Sequence, residues 1–156
     1  MITKHFYTWN DIENCCINIV NQMYTDEWRP DYIVGITRGG NVPATIISNM
    51  LDIRCEAMKV SFRNDDKVEK NHWLSTLDKK ILIVDDINDT GATFNWIWED
   101  WNLSKKAHNV KFAVLTDNMG SKFEEVNYSV HEVNKTEKDV WLVYPWENVG
   151  DYDVRN

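Results

Sequence analysis

The chain has 156 residues, of which 43% are apolar and 27% charged, and its formal charge is −8. This length and balance are typical of one globular domain with a single core. The negative charge argues against a general nucleic-acid binder, because a phosphate backbone requires a cationic face. The apolar runs are too short to span a membrane. The start of the chain lacks a secretory signal, and three cysteines fit neither a disulfide framework nor a zinc site, so we expect a cytoplasmic protein.

The first predicted element is a helix near the N-terminus. Thr8 followed by Asp11 is typical of a helix N-cap with an acidic third position. Apolar residues within 12–23 then recur at helical spacing. Cys15 and Cys16 fall on this apolar face, so we expect them to pack in the core.

Strand-like runs and helical stripes alternate along the rest of the chain. The strand-like runs are 31–40 with its terminal turn, 55–62, 81–85 and 110–116, with short candidates near 126–133 and 140–143. The predicted helical faces are Ile46, Ile47, Met50 and Leu51 after Pro43, and then Phe94, Ile97, Trp98 and Trp101. This alternation predicts an α/β fold, a parallel twisted sheet flanked by helices, whose ligands bind beyond the carboxyl ends of the strands.

The sequence ILIVDDINDTGATF (81–94) places carboxylates and small residues at such an end. In the part DTGAT (89–93), small residues allow backbone N–H groups to approach an anion, and a following helix directs its positive end at it. This favours a site for a phosphate monoester, although an ordinary strand-to-helix turn with a threonine cap would also fit. The adjacent Asp85 and Asp86 can accept hydrogen bonds from sugar hydroxyls and hold Mg²⁺, or can be two solvated turn residues.

A second glycine-containing turn, TRGG (37–40), follows the strand-like run at 31–36. Paired glycines expose N–H groups that form an anion-binding nest, to which Arg38 can add a positive charge. Two anion sites on either side of a diol and metal site suggest a ribose with phosphate at one end and pyrophosphate at the other.

These segments resemble a known enzyme family. ILIVDDINDTGATF is similar to the phosphoribosyl-pyrophosphate signature of type I phosphoribosyltransferases, and YIVGITRGGNVPATIISNMLDIR resembles a segment of the bacterial xanthine-guanine (purine) enzymes. YTWNDIENCC and DVWLVYPWEN match the N-terminal helix opening and the purine-binding segment of those enzymes. The resemblance covers nearly the whole chain in the same order. It implies a single domain over 1–156, with a core of about 1–118 and a small base-holding hood of about 119–150.

The resemblance implies a transfer of ribose 5-phosphate from phosphoribosyl pyrophosphate to a nucleobase, with Mg²⁺ as cofactor. Asp89 would be the general base, and Asp86 would bind the metal. The other residues with implied substrate contacts are Asp85 at the ribose, Thr90, Gly91, Ala92 and Thr93 at the 5-phosphate, Thr37, Arg38 and Gly39 at the pyrophosphate, and Trp141 and Leu142 at the base. The turn at 37–39 is also expected to hold a non-proline cis peptide. Lys59, before the polar stretch 63–80, is a further candidate substrate contact.

One position departs from the family and leaves the base open. The family lysine that contacts the six-position oxygen of an oxopurine is replaced by Asp117, which could instead accept from an exocyclic amine. Lys122 is a possible substitute for it. Two milder departures are Asn88, where an aliphatic residue is usual, and Glu147, where aspartate is usual. Guanine, xanthine, hypoxanthine and adenine all remain open.

The stretch 63–80 is interpreted as a lid that excludes water, with Arg63, Lys67 and Lys70 as candidate pyrophosphate contacts. The resemblance also implies a homodimer or homotetramer. The alternative hypothesis is a protein of the same fold that senses nucleotides without turnover.

Overall fold

A computed structural model describes residues 2–60, 79–105 and 108–147 of the chain. The lid prediction, with Arg63, Lys67 and Lys70, falls almost entirely outside these described residues. The secondary-structure elements are β1 (Thr3–Phe6), α1 (Trp9–Thr25), β2 (Tyr32–Thr37), α2 (Asn41–Leu51), β3 (Arg54–Lys59), β4 (Lys80–Asn88), α3 (Ala92–Asp100), β5 (Asn109–Asn118), β6 (Tyr128–Val133) and β7 (Val140–Val143).

Five of the strands form one parallel sheet in the order β3-β2-β4-β5-β6. Helices cover both faces, which confirms the predicted α/β fold. Leu82 and Val84 of β4 pack in the cluster that includes α1 and α2, whereas Ile81 and Ile83 pack in the cluster that includes α3. All four are fully buried. Burial on both faces explains why this strand shows no polar alternation.

A second, two-stranded parallel sheet joins β1 to β7. The sequence did not predict β1. The expected boundary between core and hood at about residue 118 does not separate the two sheets. β6 (Tyr128–Val133) belongs to the large sheet although it lies after that boundary, and β1 belongs to the small sheet although it lies far before it. The small sheet therefore combines the two ends of the described chain.

The predicted N-cap of α1 is confirmed. The Thr8 hydroxyl accepts a hydrogen bond from the Asp11 N–H at 3.1 Å, and the Asp11 carboxylate accepts one from the Thr8 N–H at 2.8 Å. Both satisfy N–H groups that a helix start leaves without partners. Cys15 and Cys16 are buried, as predicted, and this burial raises the pKa of their thiols to about 11 and about 12.

Several predicted boundaries and one predicted buried position differ from the structure. Helix α2 begins at Asn41, so that Pro43 lies within its first turn, where the absent N–H would have no helical partner. Met50 was expected to be buried, but its side chain is 40% exposed because it lies at the edge of the helix's apolar face. β4 extends past Asp85 to Asn88, and β5 extends to Asn118.

Within the described ranges, no helix has the length and apolar character needed to cross a bilayer.

Candidate active site

The turn after β2 lies directly against the carboxylates of β4. An added Cβ on Gly39 would lie 2.1 Å from Oδ2 of Asp86, and one on Gly40 would lie 2.4 Å from the carbonyl oxygen of Val84. Since no side chain fits at either position, the glycines allow the two segments to meet at the carboxyl edge of the sheet. The structure thus brings the first predicted anion-binding turn against the carboxylate pair that precedes the second.

The peptide bond between Thr37 and Arg38 is cis and does not involve proline, as the resemblance implied. The Thr37 hydroxyl donates to the carbonyl of Met58 at 3.4 Å, and Thr37 is the register partner of Lys59 on β3. Lys59 and Arg38 are both exposed. The structure therefore places both cationic residues at the same edge of the sheet, and Arg38 lines a cavity together with Asp86.

The segment from Asp85 to Phe94 encloses a concavity of about 230 Å³. Gly91 has φ +91°, and an added Cβ would lie 2.5 Å from the N atom of Phe123, so this position requires glycine on two counts. Helix α3 begins at the next residue, Ala92, and directs its N–H groups toward the concavity. Thr90 and Thr93 also line it. The geometry suits a phosphate group.

The two vicinal carboxylates have different environments. Oδ1 of Asp85 accepts from the backbone N–H of Asp86 at 2.8 Å, and Oδ1 of Asp86 accepts from that of Ile87 at 2.8 Å. Burial, followed by the negative charge of Asp86, raises the pKa of Asp85 well above its usual range. A divalent cation at this position would remove the repulsion between the two groups.

Within the described ranges, no group of three or more acidic, histidine or cysteine side chains converges on a metal position. This does not conflict with Mg²⁺, which is commonly held by one or two carboxylates together with water and substrate phosphate oxygens. The pair Asp85–Asp86 supplies such carboxylates. The donor set therefore fits a magnesium ion that binds together with a phosphorylated substrate, rather than one held by protein ligands alone.

Asp89, the proposed general base, forms an ion pair with Lys135. The Lys135 ammonium lies 3.1 Å from Oδ2 of Asp89, and the two side chains are 27% and 45% exposed. The amide side chain of Asn118 holds both residues. Its Nδ2 donates to the carbonyl of Asp89 at 2.9 Å, and its Oδ1 accepts from the backbone N–H of Lys135 at 3.1 Å.

Asp117, the predicted contact of the nucleobase, is hydrogen-bonded to Asn88, which stands where an aliphatic residue is usual in the family. Nδ2 of Asn88 donates to Oδ1 of Asp117 and to the carbonyl of Phe123, both at 2.9 Å, and its Oδ1 accepts from the Ser121 hydroxyl at 2.9 Å. Asn88 is almost fully buried. Burial raises the pKa of Asp117, while the hydrogen bond from Asn88 acts in the opposite direction. The backbone N–H of Lys122 donates to the Thr90 carbonyl at 3.0 Å. This bond fixes the backbone of Lys122 and not its side chain.

The C-terminal segment covers a second, larger cavity. This cavity has a volume of about 690 Å³ and is lined by Arg38, Gly39, Val42, Asp86, Trp146 and Glu147. Trp141 is 58% exposed on β7, whereas the side chain of Leu142 is buried in the core and is not available to a ligand. Tyr144 stacks on Trp146 with ring centroids 4.8 Å apart, and its hydroxyl donates to the Asp86 carbonyl at 3.2 Å.

Sequence reasoning did not assign individual roles to four residues near this site. These are Asn118, Lys135, Tyr144 and Trp146. Lys135 lies 46 residues after Asp89, in a polar turn that carries no periodic or motif signal. Asn118 directly follows Asp117 at the end of β5, and this position was the signal in the sequence that could have identified it as a site residue. Tyr144 and Trp146 fell within the quoted segment DVWLVYPWEN but were not assigned contacts.

Comparison with known proteins identifies the family. The profile of the phosphoribosyl transferase domain matches residues 3–146. This chain belongs to the phosphoribosyltransferase family. The predicted membership is therefore confirmed, and it extends over both sheets and both glycine-containing turns.

Individual relatives and solved structures agree with this assignment. Xanthine phosphoribosyltransferase 1 of Saccharomyces cerevisiae is 25% identical over 92% of this chain and 90% of its own length. Xanthine-guanine phosphoribosyltransferase of Cereibacter sphaeroides is 30% identical over 80% of this chain and 72% of its own. The crystal structure of the purine phosphoribosyltransferase from Pyrococcus horikoshii superposes with a TM-score of 0.77 and 26% identity, covering 96% of this chain and 97% of the other.

Proposed function

We propose that this phosphoribosyltransferase acts on purines, transferring ribose 5-phosphate from phosphoribosyl pyrophosphate to a purine base in the cytoplasm. The observation that carries the proposal is the close contact of Gly39 with Asp86, which sets the 37–40 turn against the carboxylate pair at the end of β4. The names of the relatives, which specify xanthine, guanine or purine, support the same class of base.

The concavity at 85–94 would hold the 5-phosphate through the N–H groups at the start of α3 and the hydroxyls of Thr90 and Thr93. The ribose hydroxyls would donate to Asp85 and Asp86. The cavity lined by Arg38 and Gly39 would hold the pyrophosphate, with Arg38 as the cation of its lining. Trp141 would stack on the base, with the backbone of Leu142 beside it.

Mg²⁺, when bound at Asp86 with the substrate phosphates, would neutralise charge on the leaving pyrophosphate. Arg38 and the N–H groups of the 37–40 turn would stabilise the same charge from the protein side. Asp89 would accept a proton from the imidazole ring of the attacking base, which is the role of a positioned carboxylate in general-base catalysis.

The test is pyrophosphate release from phosphoribosyl pyrophosphate with guanine, hypoxanthine, xanthine and adenine, in the presence of Mg²⁺ and after its removal with EDTA. We expect release that requires both a base and the metal. Replacement of Asp89 by Asn should lower kcat by about 10²- to 10⁴-fold, the usual contribution of general-base catalysis. Tight nucleotide binding without release for any base would refute the proposal and favour the non-catalytic sensor.

Self-association is a separate part of the proposal. The exposed apolar side chains Ile2, Phe6 and Trp9 lie on or next to β1. They support the homodimer or homotetramer that the family resemblance implies. Light scattering coupled to size-exclusion chromatography would measure the mass directly, and a mass of about 18 kDa, the monomer value, would exclude both assemblies.

A further inference from the structure

The buried hydroxyl of Tyr144 contacts the backbone of Asp86. The side chain of Tyr144 is 2% exposed, and its hydroxyl lies 3.2 Å from the carbonyl oxygen of Asp86 and 3.2 Å from the hydroxyl of Thr116. The pairing of β4 with β2 ends at Val84. The Tyr144 hydroxyl therefore supplies a hydrogen-bond partner for the β4 backbone two residues beyond that pairing.

One peptide group connects this contact to the Asp86 carboxylate. The carbonyl of Asp86 and the N–H of Ile87 belong to the same planar peptide unit. Its oxygen accepts from the Tyr144 hydroxyl, and its N–H donates to Oδ1 of Asp86 at 2.8 Å. The other carboxylate oxygen, Oδ2, is the atom that lies against Gly39. A rotation of this peptide unit would therefore displace the carboxylate that lies against the 37–40 turn.

Three further side-chain groups continue the hydrogen bonding away from the candidate site. The Thr116 hydroxyl lies 3.0 Å from the Tyr7 hydroxyl, which in turn lies 3.1 Å from Nδ1 of His131. Thr116 and Tyr7 are buried, whereas His131 is exposed on β6. The hydrogen bonds thus form a chain that begins at an exposed imidazole and ends at the Asp86 carbonyl.

The protons in this chain allow two arrangements, because each hydroxyl has one proton to donate. If Nδ1 of His131 donates to Tyr7, the proton of Tyr7 goes to Thr116. The proton of Thr116 then goes to Tyr144, and that of Tyr144 goes to the Asp86 carbonyl. If Nδ1 instead accepts from Tyr7, each bond reverses and Tyr144 donates to Thr116. The second arrangement loses the bond to Asp86, so the first is favoured by one hydrogen bond.

The ring of Tyr144 packs against two other aromatic rings. It stacks on Tyr7 with centroids 5.0 Å apart and 12° between the ring planes, and on Trp146 with centroids 4.8 Å apart and 1° between the planes. Trp146 lines the same cavity as Asp86. This packing restricts the ring, and with it the position of the hydroxyl beside Asp86.

We propose that Tyr144 is a positioning residue for Asp86, an inference that rests on the proposed function. The chain that begins at Nδ1 of His131 directs the Tyr144 proton to the Asp86 carbonyl. This bond fixes the peptide unit whose N–H holds the Asp86 carboxylate against the 37–40 turn. Tyr144 acts through Asp86, and it orders the part of the site assigned to Mg²⁺ and pyrophosphate.

The experiment compares Tyr144→Phe with the matched control Tyr128→Phe in the full chain. Tyr128 is also buried, and its hydroxyl bonds Asp26 and Lys111, which line a separate cavity. Calorimetry measures the affinity for phosphoribosyl pyrophosphate with Mg²⁺ and without a base, and steady-state kinetics measure the KM of each substrate. We expect Tyr144→Phe to weaken this affinity and raise the KM for phosphoribosyl pyrophosphate about 10-fold, with the KM for the base changed by less than about twofold.

Tyr128→Phe should lower the midpoint of urea unfolding, as Tyr144→Phe does, but leave the affinity and both KM values unchanged. A purely structural role for Tyr144 would make the two variants alike, with reduced stability and wild-type affinity. That result would overturn the inference while leaving the proposed function intact.

A second measurement uses the wild type alone. Nitrogen NMR chemical shifts distinguish the Nδ1–H form from the Nε2–H form of a neutral imidazole, and the hydrogen bond that each ring nitrogen makes sets which form is present. We expect His131 in the Nδ1–H form. The Nε2–H form would reverse the chain and overturn the inference even if Tyr144→Phe did not fold. A wild type that binds phosphoribosyl pyrophosphate but releases no pyrophosphate with any base would refute the proposed function, and the calorimetric comparison would still decide the inference.

Discussion

The candidate site has two halves that are built in different ways. The sugar–phosphate half, residues 37–40, 85–88 and 90–93, lies at the ends of two neighbouring strands, and glycine backbone fits tightly against carboxylate and loop atoms. The base half consists of Asp89, Asp117, Asn118, Lys135 and the segment 140–147. Its side chains are brought together from strands β4, β5 and β7 and from the turn after β6.

This difference explains how each half tolerates change. In the proposed binding mode the sugar–phosphate half would bind through N–H groups, and its shape depends on positions where no Cβ fits. The base half binds through side chains in an amide network, where a substitution alters one contact and leaves the backbone path intact.

The largest effect is expected from Gly39→Ala. The new methyl group would lie 2.1 Å from Oδ2 of Asp86, so the turn and the carboxylate must move apart. Displacement of a catalytic group by about 1 Å can lower the reaction rate about 10²-fold. We expect kcat/KM to fall by at least this factor for every base. Steady-state kinetics with two or more purines would measure it.

The matched control is Gly120→Ala, in which the added methyl group would meet the Thr136 methyl group at 2.9 Å. That contact is with the end of a side chain, which can move. We expect activity close to that of the wild type. If Gly39→Ala were as active as Gly120→Ala, the sugar–phosphate half would not depend on close backbone approach, and the contrast between the halves would disappear.

An intermediate effect is expected from Asn118→Ala. The substitution leaves the carbonyl of Asp89 and the N–H of Lys135 without their shared partner. Loss of buried hydrogen bonds of this kind costs about 1–3 kcal/mol in the free energy of unfolding, which urea denaturation would measure. We also expect a weaker preference among bases, with the KM for phosphoribosyl pyrophosphate nearly unchanged.

Asn95→Ala serves as the comparison for this variant, since its amide makes a longer bond of 3.4 Å to the Lys122 carbonyl and does not contact Asp89. Its stability and base preference should stay closer to the wild type. Equal changes in the KM for phosphoribosyl pyrophosphate and for the base in Asn118→Ala would show that the two halves are not separable.

The smallest effect concerns Asp117. Burial raises the pKa of this carboxyl, so the folded protein binds its proton more tightly than the unfolded chain does. From about pH 4, the unfolded value, upward through the raised value, the unfolded chain loses the proton first, and the stability of the wild type must fall as pH rises.

Asp117→Asn keeps an oxygen that can accept from Asn88 but removes the titration. We expect the stability of the variant relative to the wild type to increase over this pH range, as followed by thermal unfolding at a series of pH values. A constant difference between the two proteins would indicate that Asp117 keeps its ordinary pKa in the fold.

The same contrast explains what could be predicted from the sequence. The strand ILIVD, the turn DTGAT and the glycines at 39 and 40 each carry a local signal, since aliphatic runs and small residues have direct backbone consequences. The pairing of Lys135 with Asp89 depends instead on the order of strands and on the length of a polar turn. β1 was not predicted either. Its residues are all exposed and give no apolar pattern, and its partner β7 lies near the other end of the described chain.

The parallel pairing of β1 with β7 has a consequence for synthesis of the protein on the ribosome. β1 is translated before the five strands of the large sheet, but its hydrogen-bonding partner β7 is translated after all of them. Tyr7 and Tyr144 then stack at 5.0 Å and both contact the Thr116 hydroxyl. The nascent chain can therefore form the turns at 37–40 and 85–93 before β7 is made, whereas the small sheet is completed only when β7 has left the exit tunnel.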